Sequence, residues 1–450
     1  MKSFILFTTV IFALPFMAQG QIGPLNVIDS SLASSAISRI VTADLDQNGY
    51  NDIIASFSGT NGKLGYYLNQ NGTFSPLQVI DVIPFSQGVA TGDFNQDGWT
   101  DIVMIGGIDF RAFLYMNNNG NFSTAIVLDS NISVAVKGIV TGDFDNNGSD
   151  DIVIIGQHSI DYYRNTGNGT FNKEPILTTS TSPQPLECLD IAKRDFNGDG
   201  NADLVCAETA GLVVYINSGS GVFTPHYYSP TPEIGWLVHP FDIDGDGDVD
   251  VMMRKSSGSL EWYSNNGTGS MTFESLLPTV PQLHSFSSID FNNDGREDLY
   301  ASYLYHISVF LNDSSHTFSV EIPIANDSLL YMDELCLADV DQNGQDDYIW
   351  SGYSRFLGYH INLNGLSIPE LAKASPFSVY PNPATDRFFV HSTASRPFAV
   401  TVCDVFGHVV YKKGGILSDQ KLKISQLAAG IYTMQIEAKG ETYCEKLVVQ

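Results

Sequence analysis

Seven copies of a nine-residue, aspartate-rich segment recur along the chain at nearly constant spacing. Each copy reads D-x-[DN]-x-[DN]-G-x-x-D, and the copies begin at Asp44, Asp93, Asp143, Asp195, Asp242, Asp290 and Asp339. Successive copies start 49, 50, 52, 47, 48 and 49 residues apart. Self-similarity at a fixed period of this length indicates a repeat architecture, in which one supersecondary unit is stacked many times.

Each copy is followed by segments typical of short β-strands. An apolar run such as Asp52–Phe57 comes first, a second run ends in an Asn/Gly turn and a Phe at 64–74, and a third lies at 76–81. Four strands in about 49 residues are the content of one propeller blade. The sequence therefore predicts an all-β chain with a seven-bladed β-propeller over residues 21–371, followed by a small antiparallel β-sandwich.

The two ends of the repeated region complement each other. Residues 23–29 look like the outer strand at 76–81 but lack the strands that should precede it, and the last repeat stops soon after 358–365. We predict that the N-terminal segment supplies the outer strand of the seventh blade, with 366–371 as a competitor for the same edge. Closing a ring in this way leaves few exposed strand edges.

The repeated segments have the chemistry of a calcium loop. Side-chain oxygens at positions 1, 3, 5 and 9 and a backbone carbonyl at position 7 can converge on one ion, and Ca²⁺ takes six to eight such oxygen ligands. We predict up to seven Ca²⁺ ions. The candidate ligands are Asp44, Asp46, Asn48, Tyr50, Asp52, Asp93, Asn95, Asp97, Trp99, Asp101, Asp143, Asp145, Asn147, Ser149, Asp151, Asp195, Asn197, Asp199, Asn201, Asp203, Asp242, Asp244, Asp246, Asp248, Asp250, Asp290, Asn292, Asp294, Arg296, Asp298, Asp339, Asp341, Asn343, Gln345 and Asp347.

Turn preference alone does not account for these segments, although Asp, Asn and Gly all favour turns. Position 6 is glycine in all seven copies, as a tight loop with positive φ requires. Three carboxylates about 4 Å apart repel by several kcal/mol per pair. A solvated turn gains nothing from that arrangement, whereas a bound cation makes it favourable.

The repeated motif resembles the FG-GAP or VCBS family of repeats, and residues 21–371 are similar to an integrin-α-like propeller. The resemblance implies calcium on the loops that join the first two strands of each blade. Members of that family range from adhesion and carbohydrate binding to a minority of enzymes, so the fold does not select one function.

Residues 374–450 carry no copy of the repeat and have their own pattern. Alternating apolar residues with turns about every ten positions favour the small sandwich. Residues 380–386, 404–407, 427–432 and 446–449 resemble the C-terminal sorting domain of the type IX secretion system of Bacteroidetes. The resemblance implies recognition by that secretion machinery, followed by release or by attachment to the cell surface.

The N-terminus and the overall charge bear on location and partners. Residues 1–20 contain Lys2, an apolar run and small residues at 18 and 20, which together predict a signal peptide. No other segment could span a membrane. A formal net charge of −28 argues against nucleic acid as a partner. We therefore expect a secreted or outer-membrane surface protein.

The sequence favours a binding or adhesion module for a glycan or protein over an enzyme. No nucleophile, zinc-protease or phosphate-loop motif occurs, and the loops account for most carboxylates. Aromatic and basic residues instead fall on the face opposite the calcium loops, among them Arg254, Lys255 and the candidate ligand-binding residues Trp236, Tyr331 and Arg355. The alternative is a polysaccharide lyase or another carbohydrate-active propeller enzyme.

Overall fold

The computed structural model describes residues 22–449 except 33–35, 108–109, 131, 133–137, 157–158, 179–187, 210, 229–233, 278–282, 304–305, 314–315, 327–331, 353–355, 364–376, 393–396, 404–408, 425, 429 and 439–440. Within these ranges there is no α-helix, which confirms the all-β fold class, and hence no helix long and apolar enough to cross a membrane. The chain divides into two compact units, Met1–Gly365 and Leu366–Gln450. The predicted signal peptide and the predicted boundaries at 371 and 374 lie outside the described residues.

The first unit contains strands β1 to β32. Its first half consists of β1 (Ile22–Asp29), β2 (Ile37–Ala43), β3 (Asp52–Phe57), β4 (Lys63–Tyr67), β5 (Asn69–Gln70), β6 (Thr73–Phe74), β7 (Gln78–Asp81), β8 (Gly88–Gly92), β9 (Asp101–Gly106), β10 (Arg111–Tyr115), β11 (Asn117–Asn118), β12 (Asn121–Phe122), β13 (Ile126–Asp129), β14 (Gly138–Gly142), β15 (Asp151–Ile155) and β16 (Ser159–Asn165). The second half consists of β17 (Phe171–Thr178), β18 (Cys188–Arg194), β19 (Asp203–Glu208), β20 (Gly211–Asn217), β21 (Phe223–Tyr228), β22 (Gly235–Phe241), β23 (Asp250–Lys255), β24 (Leu260–Asn265), β25 (Met271–Leu277), β26 (Leu283–Ile289), β27 (Asp298–Tyr303), β28 (His306–Leu311), β29 (Val320–Asn326), β30 (Met332–Ala338), β31 (Asp347–Gly352) and β32 (Phe356–Asn362).

These strands form seven four-stranded antiparallel sheets, which we call blades 1 to 7. Their strand orders are β2-β3-β4-β7, β8-β9-β10-β13, β14-β15-β16-β17, β18-β19-β20-β21, β22-β23-β24-β25, β26-β27-β28-β29 and β30-β31-β32-β1. The hairpins β5–β6 and β11–β12 lie between the third and fourth strands of blades 1 and 2. In every blade, an aspartate-rich loop joins the first strand to the second, so all seven loops lie at the same end of their blades.

The N-terminal strand completes blade 7, as the sequence predicts. β1 pairs antiparallel with β32, with Leu25 opposite His360 and Val27 opposite Gly358. His360 Nδ1 lies 3.1 Å from the carbonyl oxygen of Gly23. A Cβ atom at Gly358 would lie 2.9 Å from the carbonyl oxygen of Asn26, so this close approach requires glycine. The competing segment 366–371 lies outside the described residues.

Each blade packs against the next through a shared apolar core. The second strands β3 and β31 are buried at every position. Ile53 of β3 packs in one cluster with Ile349 and Leu357 of blade 7, and six further clusters join each remaining pair of successive blades. The blades therefore form a closed ring. Strands that are buried on both faces read as continuous apolar runs, which is why the second strands lack alternation.

The first strands face one another around the axis of this ring. Arg39, Asp190 and Glu334 occupy the same position, five residues before the loop, in blades 1, 4 and 7. Arg39 Nη1 lies 3.5 Å from Glu334 Oε2. Burial raises the pKa of Asp190 to about 6, and the charge of Arg39 partly offsets that shift. Three separate blades thus contribute to one charged group inside the ring.

The first strands of blades 1, 4, 5, 6 and 7 contain a register shift near their start that is typical of a β-bulge. In blades 1, 4, 5 and 6 the residue that the pairing register skips is Ser38, Leu189, Trp236 and His284, respectively. A bulge adds one residue to a strand and redirects its side chain. All five register shifts lie at the end of the blade opposite the aspartate-rich loop.

The second unit is a small sandwich of two sheets, as predicted. Its strands are β33 (Phe377–Tyr380), β34 (Arg387–Ser392), β35 (Phe398–Cys403), β36 (Val409–Ile416), β37 (Leu422–Lys423), β38 (Gly430–Ala438) and β39 (Glu441–Val449). One sheet has the order β33-β34-β37 and the other β36-β35-β38-β39. Phe388 and Val390 of the first sheet share a buried cluster with Val400, Met434 and Leu447 of the second.

Removing β1 should destabilise the ring, because it leaves the edge of β32 unpaired. We expect a chain that begins at Ser35 to melt at a lower temperature than one that begins at Gln21, and to associate as its concentration rises, since exposed edges pair with other chains. Thermal melts and size-exclusion chromatography would measure both effects. Equal melting temperatures and a monomeric truncated chain would contradict closure by β1.

Candidate metal centres on the aspartate-rich loops

The seven loops share one backbone conformation. The glycine at position 6 has φ between +83° and +95° in every copy, as predicted. Position 4 is also left-handed, with φ between +56° and +78°. Sequence analysis missed this second constraint, although only Gln, Asn and Gly occur there. Asn and Gly are residues that adopt this region readily.

The aspartate at position 1 organises the backbone of its own loop. Asp44 Oδ1 accepts a hydrogen bond from the N–H of Asn48 at 3.1 Å, and Oδ2 accepts one from the N–H of Gly49 at 2.8 Å. The carboxylate at position 1 accepts in the same way from position 6 in the copies starting at Asp93, Asp143, Asp195, Asp242, Asp290 and Asp339. The nine-residue loop is therefore wound around its first carboxylate.

The aspartate at position 9 is completely buried in all seven copies. Asp52 Oδ2 accepts from the N–H of Leu45 at 2.8 Å, and its Oδ1 accepts from the N–H of Asn69 at 2.7 Å. The same two bonds recur around Asp101, Asp151, Asp203, Asp250, Asp298 and Asp347. Each of these carboxylates thus fixes both the loop and the end of the third strand.

Burial makes these carboxylates costly to ionise in the absence of a cation. Burial raises the pKa to about 6 at Asp52, Asp101, Asp151 and Asp203 and to about 7 at Asp250, Asp298 and Asp347, although the two backbone hydrogen bonds favour the charged form. A divalent cation beside the carboxylate would favour its charged form.

Carboxylate oxygens converge in four of the loops. Within each group the oxygens lie within 4.8 Å of one another, which is close enough for one ion to bind them all. The groups are Asp44, Asp46 and Asp52; Asp143, Asp145 and Asp151; Asp242, Asp244 and Asp246; and Asp339, Asp341 and Asp347. Several of the predicted sites therefore have a donor set that could hold a metal ion, with only hard oxygen ligands.

The other three loops place an asparagine at position 3. In the second loop, Asn95 Nδ2 donates to Asp97 Oδ2 at 3.0 Å. Equivalent bonds join positions 3 and 5 of the fourth and sixth loops. The first, third and seventh loops have asparagine at position 5 instead. Its side chain donates to the carbonyl of the asparagine at the end of the third strand, as Asn48 Nδ2 does to Asn69 at 2.8 Å. Only the fifth loop has aspartate at both positions, and it has the highest negative charge.

Arginine side chains partly neutralise two of the loops. Arg164 of β16 forms an ion pair with Asp145 of the third loop. Arg296, at position 7 of the sixth loop, lies 2.7 Å from Asp294 Oδ2. These contacts lower the net negative charge that an incoming cation would meet.

A buried asparagine at the end of each third strand connects neighbouring blades. Asn117 Nδ2 donates to the carbonyl of Thr100 in its own blade at 3.1 Å and to the carbonyl of Leu45 in blade 1 at 2.8 Å. We call this pair of bonds the asparagine latch. In blades 1 to 6 the latch residues are Asn69, Asn117, Asn165, Asn217, Asn265 and Asn312. The latch of Asn69 reaches Val340 in blade 7 at 2.8 Å and therefore spans the closure of the ring.

Side chains at position 4 link successive loops directly. Gln47 Nε2 donates to the carbonyl of Gly98 at 2.8 Å, and Gln96 Nε2 donates to the carbonyl of Gly148 at 2.9 Å. Gln342 makes the same bond to Gly49 across the ring closure. The loops of blades 4 and 5 have glycine at this position and so have no side chain that could continue the series.

The structure gives a partial account of the predicted ligand-binding residues. Trp236 lies on β22 at the end opposite the loops and is 49% exposed. Tyr331 and Arg355 lie outside the described residues. The prediction that Lys255 belongs to this surface is wrong, because its side chain is completely buried and Nζ lies 3.2 Å from Glu261 Oε2.

Comparison with known families identifies the class of protein. The FG-GAP-like repeat matches residues 44–104, 93–154, 143–192, 195–253, 242–301 and 290–350. These segments cover more than half of the 450 residues, so the chain belongs to the FG-GAP-like repeat family.

Residues 378–450 match the secretion system C-terminal sorting domain. Such a domain engages the type IX secretion machinery, so the chain is a propeller protein that is secreted or held at the cell surface. No curated protein matches the sequence.

Solved structures with this fold include a protein described as BBS1N, determined in complex with ARL6DN. It is 10% identical, with a TM-score of 0.53 over 76% of this chain and 97% of its own. An Agrocybe aegerita lectin, described as recognising non-reducing terminal N-acetylglucosamine, is 20% identical, with a TM-score of 0.50 over 66% of this chain and 82% of its own. At these identities the likeness shows the fold alone, and it agrees with the β-propeller prediction.

Loss of one asparagine latch should destabilise the ring. Asn117→Ala leaves the carbonyls of Leu45 and Thr100 without their buried donor, and we expect a loss of about 1–3 kcal/mol in the free energy of unfolding. Urea denaturation would measure it. The matched control is Asn118→Ala, because Asn118 is the exposed neighbour. Equal stability of the two variants would show that the latch contributes nothing.

Proposed function

We propose that this protein is a secreted binding module in which Ca²⁺ ions, up to seven, occupy the aspartate-rich loops and stabilise the blades. The ligand, a glycan or another protein, binds at the opposite ends of the blades. The observation that supports calcium most directly is the convergence of three carboxylates within 4.8 Å in each of four loops. The carboxylate at position 9 in these and the other loops is buried as well.

Calcium fits this donor set better than other common metals. The loops offer carboxylate, amide and carbonyl oxygens but no thiol or imidazole, and such hard ligands suit Ca²⁺. In the proposed site, positions 1, 3, 5 and 9 contribute side-chain oxygens and position 7 a carbonyl. The N–H at position 7 donates to the side chain at position 5, as Tyr50 does to Asn48 Oδ1 at 2.7 Å. That bond fixes the peptide group between positions 6 and 7, which precedes the one whose carbonyl is the proposed ligand.

The ends of the blades away from the loops are better suited to ligand binding. The loop ends are committed to hydrogen bonds within and between the aspartate-rich segments. Trp236 is exposed at the other end, where an aromatic ring can stack on a sugar or anchor a protein partner. The lectin of similar fold recognises a sugar, which is consistent with a glycan ligand. The competing function is that of a polysaccharide lyase.

Calcium removal should lower the thermal stability of the propeller strongly. An ion at 100 times its Kd stabilises by about 2.7 kcal/mol, and several ions act together. One kcal/mol shifts the melting temperature of a large domain by roughly 2–4 °C. We therefore expect melts in EDTA and in millimolar Ca²⁺ to differ by more than about 10 °C. Identical melting curves would rule out a structural role for calcium.

A single loop offers a sharper form of the same test. Asp244→Ala in the fifth loop should reduce the stabilisation by calcium, whereas Glu274→Ala should not. Both substitutions remove one carboxylate from blade 5, but Glu274 is an exposed residue of β25 outside the loop. An equal loss in the two variants would indicate a general charge effect rather than coordination.

The calcium-loaded protein should bind its ligand without altering it. A glycan array with and without calcium would identify glycan ligands, and a pull-down of surface proteins would test the protein alternative. Incubation with each bound polysaccharide would then be monitored for shorter products and new unsaturated or reducing ends. Unchanged polymer is the expected result. Appearance of such ends would establish the lyase or another carbohydrate-active enzyme in place of a binding module.

A further inference from the structure

Trp236, Arg254 and His284 lie together at the ends of blades 5 and 6 that are opposite the aspartate-rich loops. The guanidinium carbon of Arg254 is 5.4 Å from the centre of the Trp236 ring, in a cation–π arrangement. The charge of Arg254 also lowers the pKa of His284, in addition to the larger effect of burial. The three side chains come from β22, β23 and β26, so two neighbouring blades contribute to one cluster.

Within the described part of the chain, Arg254 has no carboxylate partner. Its Nε is buried and has no hydrogen-bond acceptor. Burial without a compensating anion lowers its pKa. Arg39, Arg164 and Arg296, in contrast, all form ion pairs. Among the described residues, Arg254 therefore lacks the anion that these three half-buried arginines have.

The nearest carboxylate on the adjacent strand is already committed elsewhere. Glu261 of β24 pairs with Lys255 at 3.2 Å and accepts a hydrogen bond from the Tyr263 hydroxyl at 2.7 Å. Glu261 lies opposite Met253 in the sheet, and successive residues of a strand point to opposite faces. Arg254 therefore points away from Glu261, towards the side of blade 5 that packs on blade 6.

Trp236 and His284 lie at equivalent positions in the first strands of blades 5 and 6. Trp236 and His284 are the bulge residues of β22 and β26, each six residues before the loop of its blade. Bulges commonly redirect side chains at functional sites. Here one bulge places an exposed indole against the guanidinium group of Arg254, and the other places an imidazole within range of its charge.

We propose that Trp236, Arg254 and His284 form a subsite for an acidic sugar residue of a polysaccharide. The indole stacks on the apolar face of the sugar ring. The guanidinium group binds its oxyanion, a carboxylate or a sulfate ester, in the planar two-pronged geometry that arginine favours. The imidazole of His284 hydrogen-bonds a neighbouring hydroxyl. This subsite rests on the proposed function, for which it names the ligand class and the residues.

The net negative charge of the protein explains why an acidic polysaccharide needs a local contact in order to bind. The protein is strongly acidic, so an anionic polymer is repelled at long range. Binding must then come from a short-range contact in which a half-buried arginine, without a carboxylate partner among the described residues, gains an anion. A neutral sugar would leave that arginine as it is.

The test uses the full-length, calcium-loaded protein and titration calorimetry with three soluble probes. These are hyaluronan oligosaccharides, which carry carboxylates, dextran sulfate, which carries sulfates, and neutral dextran. We expect an acidic probe to bind and dextran not to bind. Trp236→Ala and Arg254→Gln should each weaken binding at least tenfold. Arg254→Lys keeps the positive charge but loses the planar, two-pronged hydrogen bonding of the guanidinium group. The affinity of this variant should therefore lie between those of the native protein and Arg254→Gln.

Arg194→Gln is the matched control, since Arg194 is an exposed arginine at the loop end of β18 and its loss should leave affinity unchanged. Thermal melts would verify that every variant is folded. Preference for hyaluronan or for dextran sulfate identifies the oxyanion as carboxylate or sulfate. Equal binding of dextran, or full affinity in Arg254→Gln, would overturn the acidic subsite. If glycan-array or pull-down ligands remain in that case, the proposed binding function stands, and if none is found both proposals fail.

Discussion

The buried carboxylate at position 9 of each repeat is the constraint on which the rest of the propeller depends. Asp101, for example, is inaccessible to solvent and accepts hydrogen bonds from Phe94 of its loop and Asn117 of the third strand. One side chain thereby fixes the loop, the second strand and the third strand of its blade. Burying a carboxylate is costly unless it is paired, so this arrangement favours a cation in the loop. In the proposed function, folding of the blades and cation binding are for this reason one equilibrium rather than two.

The same asparagine that satisfies this carboxylate through its N–H uses its side chain to hold the preceding blade. Asn117 is bonded to Asp101 and to Leu45, so a disturbance of one loop reaches its neighbour through two hydrogen bonds. Most latches join residues about 70 apart in sequence, whereas Asn69 and Val340 are 271 apart. The closing latch and the pairing of β1 with β32 therefore carry the largest entropic cost of loop closure. Closure is expected to be the last step in forming the ring.

The sequence predicts the repeats, the glycine at position 6 and the closing role of residues 23–29, because each depends on local backbone chemistry or on the number of strands in a repeat. It does not reveal the latch, although the signal is present: an Asn follows every third strand, 14 to 17 residues after the aspartate at position 9. The sequence does not identify the hydrogen-bond acceptor, because the carbonyl that the latch reaches belongs to another blade. The surface prediction for Lys255 fails for a similar reason. Its burial depends on Glu261 of the next strand, and hydropathy alone does not anticipate a buried ion pair.

The two ends of the blades differ in how their charged groups are paired. The loop end stabilises the ring, whereas the opposite end is where we propose that the ligand binds. At the loop end, carboxylates are concentrated and are paired with backbone N–H groups, with arginines or, in the proposed function, with calcium. At the other end of blades 5 and 6, the positive charge of Arg254 has an aromatic ring beside it and no anion among the described residues. A carboxylate of the protein beside Arg254 would have stabilised the fold. Glu261, on the adjacent strand, is close enough in sequence to have formed that ion pair. Its pairing with Lys255 on the other face of the sheet leaves Arg254 available to an external anion. Among the described residues, the fold thus leaves the charge of Arg254 without an anion where a ligand can reach it, whereas the charged groups that hold the ring together have partners within the protein.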